Sequence, residues 1–248
     1  MNNDILQHYH GYEQLLKKID EYTYIYQKNG ISQITNFIDP ASQDVVSRYL
    51  TSDDYYLYGG YQQAIRKVLV IGKDKKPEEV ITCLMATFNT RFNSLDNRDV
   101  KGAVYNFGID TDKIGDFWVD DDKIYIYCRN ELADYLVDYF NQIGRCSVKF
   151  EKVDHQAQQF KFESFTTTIS SLRLDSVVSA IMRKSREKAK IKINSGEVNV
   201  NFHEVDDCDH LCNNDDVISL KKIGRYRIKD IQINKKSGKI ILSIDKYR

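Results

Sequence analysis

Apolar residues recur along this chain at two periods, and the switches between them mark its elements. Within residues 5–26, Leu15, Leu16 and Ile19 fall on one helical stripe. A short segment, 32–37, ends near Asp39-Pro40, and 42–50 supports another helix. Residues 55–58 and 67–71 are aromatic or β-branched enough for strands, with Gly59-Gly60 as a turn between strand and loop. From residue 80 the rhythm predicts a strand (80–88), a helix (97–107) and a hairpin (116–119 and 123–128) around Asp120-Asp-Asp122. A helix (131–143) and a strand (146–152) follow. That order predicts a small α+β sandwich, with helices on one face of an antiparallel sheet. Residues 154–170, rich in Gln, Ser and Thr, lack a sustained apolar face and read as a mobile linker.

The C-terminal third returns to helical spacing. Val177, Val178 and Ile181 share one side of a helix whose ends carry Arg173, Arg183 and Lys184. Ser185 suits an N-cap, its hydroxyl accepting from an orphan amide, and a second helix runs from Arg186 to about Ser195 before stopping at Gly196. Ala189 and Ile193 line its inner face, and Arg186, Lys188, Lys190 and Lys192 project from the others. The expected organisation is α+β and multidomain. It comprises an N-terminal α/β unit (1–75), a central α+β unit (76–155), a linker (156–169) and a basic module (170–248).

Charge sharpens this division. The chain holds 36 basic and 36 acidic residues, yet 171–248 holds 17 basic and 11 acidic, leaving 19 and 25 in 1–170. A basic module is thus joined to an acidic body, the asymmetry of a tethered nucleic-acid-binding domain. Residues 171–192 alone hold seven Lys or Arg against two acids. Hydrophobic residues make up 42% of the chain, enough for real cores, and no apolar run approaches the roughly 20 residues of a membrane span. Met1-Asn-Asn-Asp-Ile5 lacks a signal sequence, and the five cysteines are odd in number and mostly set in apolar segments. Both point to a cytoplasmic, reduced setting.

His203, Cys208, His210 and Cys212 could offer zinc ligands. Their loose Cys-x-x-x-Cys spacing and the acids Asp206, Asp207 and Asp209 instead read as a polar connection between strands, and no metal or cofactor is expected. The tyrosines Tyr55, Tyr56, Tyr58 and Tyr61 could stack bases, but half-buried strand packing is the favoured reading. Asp120–Asp122 reads as a hairpin turn. No Walker loop, Gly-x-Ser-x-Gly or His-Glu-x-x-His is present. Asn97-Arg-Asp99 is only superficially like a kinase catalytic loop, because the Asn required five residues later is Val104.

Several offsets between 171 and 219 carry a resemblance. Arg173-Leu-Asp175, Ser185-Arg-x-x-Ala189, Gly196-x-Val198-x-Val-Asn201 and Asp215-Asp-Val-Ile-Ser219 resemble the S4 RNA-binding domain, found also in pseudouridine synthases, tyrosyl-tRNA synthetases and heat-shock ribosome-binding factors. Further motifs lie upstream: Phe37-Ile-Asp-Pro40, Tyr58-Gly-Gly60 with Arg66-Lys67, Asn97-Arg-Asp99 with Gly108-Ile109, and Lys113-Ile-Gly-Asp116. With Ile223-Gly-Arg-Tyr226, Lys235-Lys236 and Asp245-Lys-Tyr247, they make the whole chain similar to the YlmH family. One departure is Asn97, where that family usually has His.

The resemblance implies a non-catalytic factor that binds rRNA and tRNA on large ribosomal subunits obstructed by peptidyl-tRNA, in ribosome-associated quality control, with quality-control factors as possible partners. The family also carries a cell-division label. Its RNA site would use Arg173, Arg183, Lys184, Arg186, Lys188 and Lys192 on phosphates, with Ser185 and helix N-terminal amides as further donors. Asn199 and Asn201 would reach a groove edge or 2′-hydroxyl, or make structural hydrogen bonds, and Lys221, Lys222, Arg225 and Arg227 would extend the patch. Replacing Arg173 and Arg186 by Ala is expected to weaken RNA binding without unfolding the domain. The alternatives are an RNA-modifying enzyme such as a pseudouridine synthase, against which stands the lack of a catalytic Arg-Leu-Asp motif in 1–160, and a protein scaffold with an acidic front.

Overall fold

The computed structural model describes residues 11–90, 94–234 and 238–247. They form two compact units, Met1–Gln158 and Gln159–Arg248. The start of the first predicted helix, 5–10, and the Lys235-Lys236 motif lie outside the described residues.

The first unit begins with helix α1 (Glu13–Asn29), then strand β1 (Gln33–Ile38), helix α2 (Pro40–Tyr49), and strands β2 (Tyr55–Tyr58) and β3 (Lys67–Ile71). Asp39 explains where α2 starts: its side chain accepts from Ser42 N–H at 2.8 Å, while Pro40 needs no partner in the first turn. The three strands pair antiparallel in the order β1-β3-β2. From Val68 to Ile71 central β3 is an unbroken apolar run because both of its faces are covered. Leu69 and Ile71 pack with Leu16, Ile19 and Val46 of the helices. Val68 and Val70 face the other way, into a cluster with Ile81, Cys83, Trp118 and Tyr127.

That second cluster belongs to a four-stranded sheet, β5-β6-β4-β9. Its elements are β4 (Ile81–Thr87), α3 (Asn97–Asn106), β5 (Ile114–Asp120), β6 (Lys123–Arg129), α4 (Asn130–Tyr139), a small hairpin β7 (Gln142–Ile143) and β8 (Cys146–Ser147), and β9 (Glu151–Val153). Alternation divides its strands: Leu84, Ala86, Ile124 and Ile126 meet Val100, Val104, Ala133 and Leu136 of α3 and α4, while Cys83, Trp118 and Tyr127 meet β1 and β3. The layers run helices, sheet, sheet, helices. A core therefore joins residues on both sides of position 75.

Local chemistry accounts for the differences from the sequence reading. The helix expected over 131–143 ends at Tyr139, and the hairpin that follows turns at Gly144, which has a positive φ of 57°. The single strand expected over 146–152 is split into β8 and β9. Asp99 serves a capping box with Asp96, accepting from Asp96 N–H at 2.8 Å, and Asn97 Oδ1 accepts from Val119 N–H at 2.9 Å. Both side chains of that motif therefore fix α3 in place.

The second unit opens with a strand where a linker is expected: β10 (Phe162–Ile169) pairs along its length with the last strand. Helices α5 (Leu174–Met182) and α6 (Arg186–Asn194) follow, then β11 (Val198–Val200), β12 (His203–Glu204), β13 (Val217–Leu220), β14 (Gly224–Ile233) and β15 (Ile240–Tyr247). The six strands are ordered β10-β15-β14-β13-β11-β12. Val177, Val178, Ile181, Ala189 and Ile193 of the helices pack against one face of this sheet, through Val198, Ile218, Tyr226, Ile228, Leu242 and Ile244. Each fully buried Val, Ile or Leu of that set contributes about 1.5–3 kcal/mol. The chain is multidomain and α+β. Among the described residues no helix is long and apolar enough to cross a membrane.

Candidate nucleic-acid interface

The helix pair is organised around one carboxylate. Asp175, in the first turn of α5, is fully buried. Arg186 Nη2 donates to its two oxygens at 2.7 and 2.8 Å, and Arg173 donates through Nε at 3.3 Å and Nη2 at 3.2 Å. Lys190 Nζ stands 3.9 Å away, and Arg173 also pairs with Asp209. Burial raises the Asp175 pKa, but the bonds from Arg173 and Arg186 outweigh it and hold the carboxyl below its ordinary range. The guanidinium and ammonium stems remain partly in water, with side-chain exposures of 34%, 44% and 50% for Arg173, Arg186 and Lys190. Three cations are thus held at the surface by one buried anion.

The loop 208–212 braces this arrangement. Leu174 N–H donates to His210 O at 2.8 Å, Asp175 N–H to Cys208 O at 3.2 Å, and Cys212 N–H to Leu172 O at 2.9 Å. Cys212 is buried in the core, which pushes its thiol up to about 12, and Cys208 donates to Asn194 Oδ1 at 3.3 Å. Three of the four residues weighed as zinc donors, Cys208, His210 and Cys212, thus secure the start of α5. Among the described residues, no three His, Cys, Asp or Glu gather as a metal site.

The turn between α5 and α6 is equally fixed. Arg183 takes a left-handed conformation (φ 52°, ψ 45°), Lys184 N–H donates to Ser179 O at 3.1 Å, and Ser179 Oγ donates to Lys184 O at 2.7 Å. Arg183, Lys184, Ser185 and Lys188 are exposed there. Ser185 occupies the N-cap position with extended backbone, but its hydroxyl caps no amide. This corrects the capping role expected for it.

The remaining candidates separate. Lys192 Nζ lies 2.5 Å from Glu197 Oε2, and its side chain is only 11% exposed. Asn201 donates to Asp216 Oδ1 at 2.8 Å and accepts from Val217 N–H at 2.9 Å, so its amide pins a turn. Lys221 is exposed at the β13–β14 turn, its N–H bonded to Glu197 O at 3.0 Å. Asn199 and Arg225 share a row across the sheet, through the pairs Asn199 with Ser219 and Ser219 with Arg225. Their neighbours Val198, Val200 and Tyr226 point into the core, so this row faces away from the helices. The helical cations and the strand residues therefore lie on opposite faces of the sheet. Arg227, expected as an extension of the patch, lies on this same outer face. Phe162 and Tyr247, also on that face, are absent from the expected set, and the aromatic and β-branched run in 162–169 is the signal that could have found the first of them.

In the first unit, the motifs carrying Phe37, Tyr58-Gly-Gly60 with Arg66, and Gly115-Asp116 meet at one seam between the two sheets. Asp116, nearly buried, accepts from Tyr61 Oη and Ile65 N–H, both at 2.7 Å, and from Arg66 N–H at 3.0 Å. Burial and then Asp116 raise the Tyr61 pKa. A side chain at Gly115 would place Cβ 2.6 Å from the Phe37 ring, and one at Gly60, where φ is +97°, 2.2 Å from Tyr127. Tyr58 and Tyr61 serve this packing, Tyr58 Oη bonding His155 Nδ1 at 2.9 Å.

Comparison with known proteins completes the picture. Residues 77–157 match the family model described as "Putative RNA-binding domain in YlmH". The chain is 27% identical over 256 residues to "Ribosome-associated protein quality control protein P2" of Bacillus subtilis (strain 168), covering 99% of this chain and all of that one. It shares its fold with "Cell division protein ylmH from Streptococcus pneumoniae", at a TM-score of 0.50 and 16% identity, over 57% of this chain and 90% of that one. In sequence along its length and in its matched domain, the chain is similar to YlmH and to a quality-control protein, which is the resemblance its motifs carry.

Proposed function

We propose that this chain is a non-catalytic RNA-binding protein of the cytoplasm that acts in ribosome-associated quality control. In this reading its second unit is an S4 domain that grips rRNA or tRNA on the large subunit at obstructed peptidyl-tRNA complexes. The observation that carries it is the rigid, exposed cationic corner of α5 and α6, in a unit where 171–248 holds six more basic than acidic residues. A fixed cluster of cations suits phosphates of a folded RNA, which are recognised by shape more than by sequence. Arg183, Lys184 and Lys188 would make the phosphate contacts, with the exposed parts of Arg173, Arg186 and Lys190 adding to the field. Lys221 would extend it, while Lys192 and Asn201 support the fold around it. The similarity to a quality-control protein over the whole chain supports the biological setting.

The test is sedimentation of tagged chain on a sucrose gradient, alongside Lys184→Ala/Lys188→Ala. Migration with the large subunit, lost in the variant, is expected. In purified form the same variant should lower the salt slope of RNA binding by roughly 1.5–2 while leaving its circular dichroism unchanged. Migration of the parent only at the top of the gradient, or an unchanged slope, counts against the reading.

A further inference from the structure

The outer face of the six-stranded sheet, opposite the helices, carries an aromatic and arginine surface that phosphate binding by α5 and α6 does not use. Phe162 on β10 is 39% exposed and lies opposite Tyr247 on β15, with ring centroids 5.0 Å apart. Phe160 meets the same Tyr247 edge-on at 5.4 Å. Two guanidinium groups cover neighbouring rings: Arg227 lies 4.9 Å from the Phe162 centroid, and Arg225 lies 5.1 Å from Phe202 and 5.8 Å from Tyr247. The arrangement is preset. Asp245, buried beneath, accepts from Arg227 Nη2 at 2.7 Å and from Ser164 Oγ at 2.5 Å, which fixes the guanidinium over the ring.

We propose that this face is a second RNA site, a stacking platform for unpaired bases. The inference rests on the RNA reading of this unit and adds a different RNA state to it: the helical corner takes phosphates of folded RNA, and the sheet takes single-stranded segments. Three features favour bases over an apolar protein partner. Rings and guanidinium planes alternate, and both stack on a base, whatever its identity. The carboxylate beneath the face is neutralised by Arg227, so it does not repel a phosphate backbone. Along the same row, Asn199 and Ser219 supply polar groups that can bond base edges or 2′-hydroxyls. A docking site for an apolar helix would instead offer aliphatic residues in place of this charge.

The test uses the full chain and fluorescence anisotropy with two labelled probes, an oligouridine of about twelve nucleotides and a blunt RNA duplex of similar length. Phe162→Leu combined with Tyr247→Leu keeps apolar bulk but removes two stacking surfaces. It should weaken oligouridine binding about 10- to 100-fold and change duplex binding by less than about twofold. Phe162→Trp, which retains a ring, should bind oligouridine as the parent does, and this variant guards against a loss caused by misfolding. Oligouridine binding unchanged in the leucine variant, or reduced only in step with duplex binding, overturns the platform. If the parent binds neither probe, the RNA reading of the unit itself falls. If it binds the duplex and not oligouridine, that reading stands and the platform falls.

Discussion

Both units bury an aspartate, and the partners of each differ in kind. Asp116 is held by neutral donors, two backbone amides and a phenol, all from residues 61–66. Asp175 is held by the guanidinium groups of Arg173 and Arg186, with Lys190 nearby. The first aspartate ties a loop into the seam between two sheets. The second organises cations that stay partly in water. The contrast extends to bulk charge: residues 77–157 hold nine basic and fifteen acidic residues, whereas 159–248 holds eighteen and twelve. The segment matched by a putative RNA-binding model is therefore the acidic one, and the field that attracts phosphate comes from the other unit.

The largest expected effect breaks the second arrangement. Arg173→Ala combined with Arg186→Ala leaves Asp175 buried without a guanidinium partner. The cost is about 3–5 kcal/mol, a large part of the stability of a small domain. The sequence alone suggested that this pair would reduce RNA binding and spare the fold. The geometry reverses that expectation, so loss of RNA binding in this variant says nothing about contact. A thermal melt followed by circular dichroism should show the second unit's transition lowered or absent. A melt like the parent's would mean that Lys190 and water suffice to satisfy the carboxylate.

Next in size is the corresponding change in the first unit. Asp116→Asn preserves shape but replaces one acceptor oxygen with a donor, which then faces Ile65 N–H, Arg66 N–H or the Tyr61 hydroxyl. Leaving one such group unpaired costs about 1–3 kcal/mol. Trp118, the sole tryptophan, packs 5.8 Å from Tyr61, so its fluorescence reports this seam directly. Its midpoint in a denaturant titration should fall while the second unit's transition stays in place. Equal movement of both would mean that the two units do not unfold independently.

These partners explain what was legible in the sequence and what was not. Helical stripes such as Val177, Val178 and Ile181 specify both the element and its buried face, because period and packing are the same information. The motif residues Phe37, Gly60, Gly115 and Asp116 could be quoted from the sequence, but their meeting could not, since Asp116 bonds residues some fifty positions away. Asp175 looks like any first-turn acid until α6 folds back and brings Arg186 to it. Strand β10 was hidden for a similar reason. Its Ser and Thr content reads as linker, and only pairing with β15, at the far end of the chain, makes it a strand. Of the candidate site, the exposed corner was legible from charge and spacing. The split between its two faces depends on strand register, which local pattern does not give.

The smallest expected effect is acidic and sharpens the same contrast. Asp175 and Asp245 are each raised by burial but lowered further by their arginine partners, with Ser164 also bonding Asp245, so their native pKa values lie below the ordinary range. The unfolded chain, with carboxyls near about 3.9, therefore takes up protons before the native state does as pH falls. The stability these pairs contribute is fully present well above that value and is lost as pH falls through the native pKa. Asp245→Asn removes one of these titrations. The difference in Tm between about pH 6 and about pH 3 should accordingly be smaller in the variant than in the parent, with the curves converging at the acid end. An undiminished difference would mean that the acid sensitivity resides in carboxylates other than Asp245, and that the Arg227–Asp245 pair orients the outer sheet face without adding to its stability.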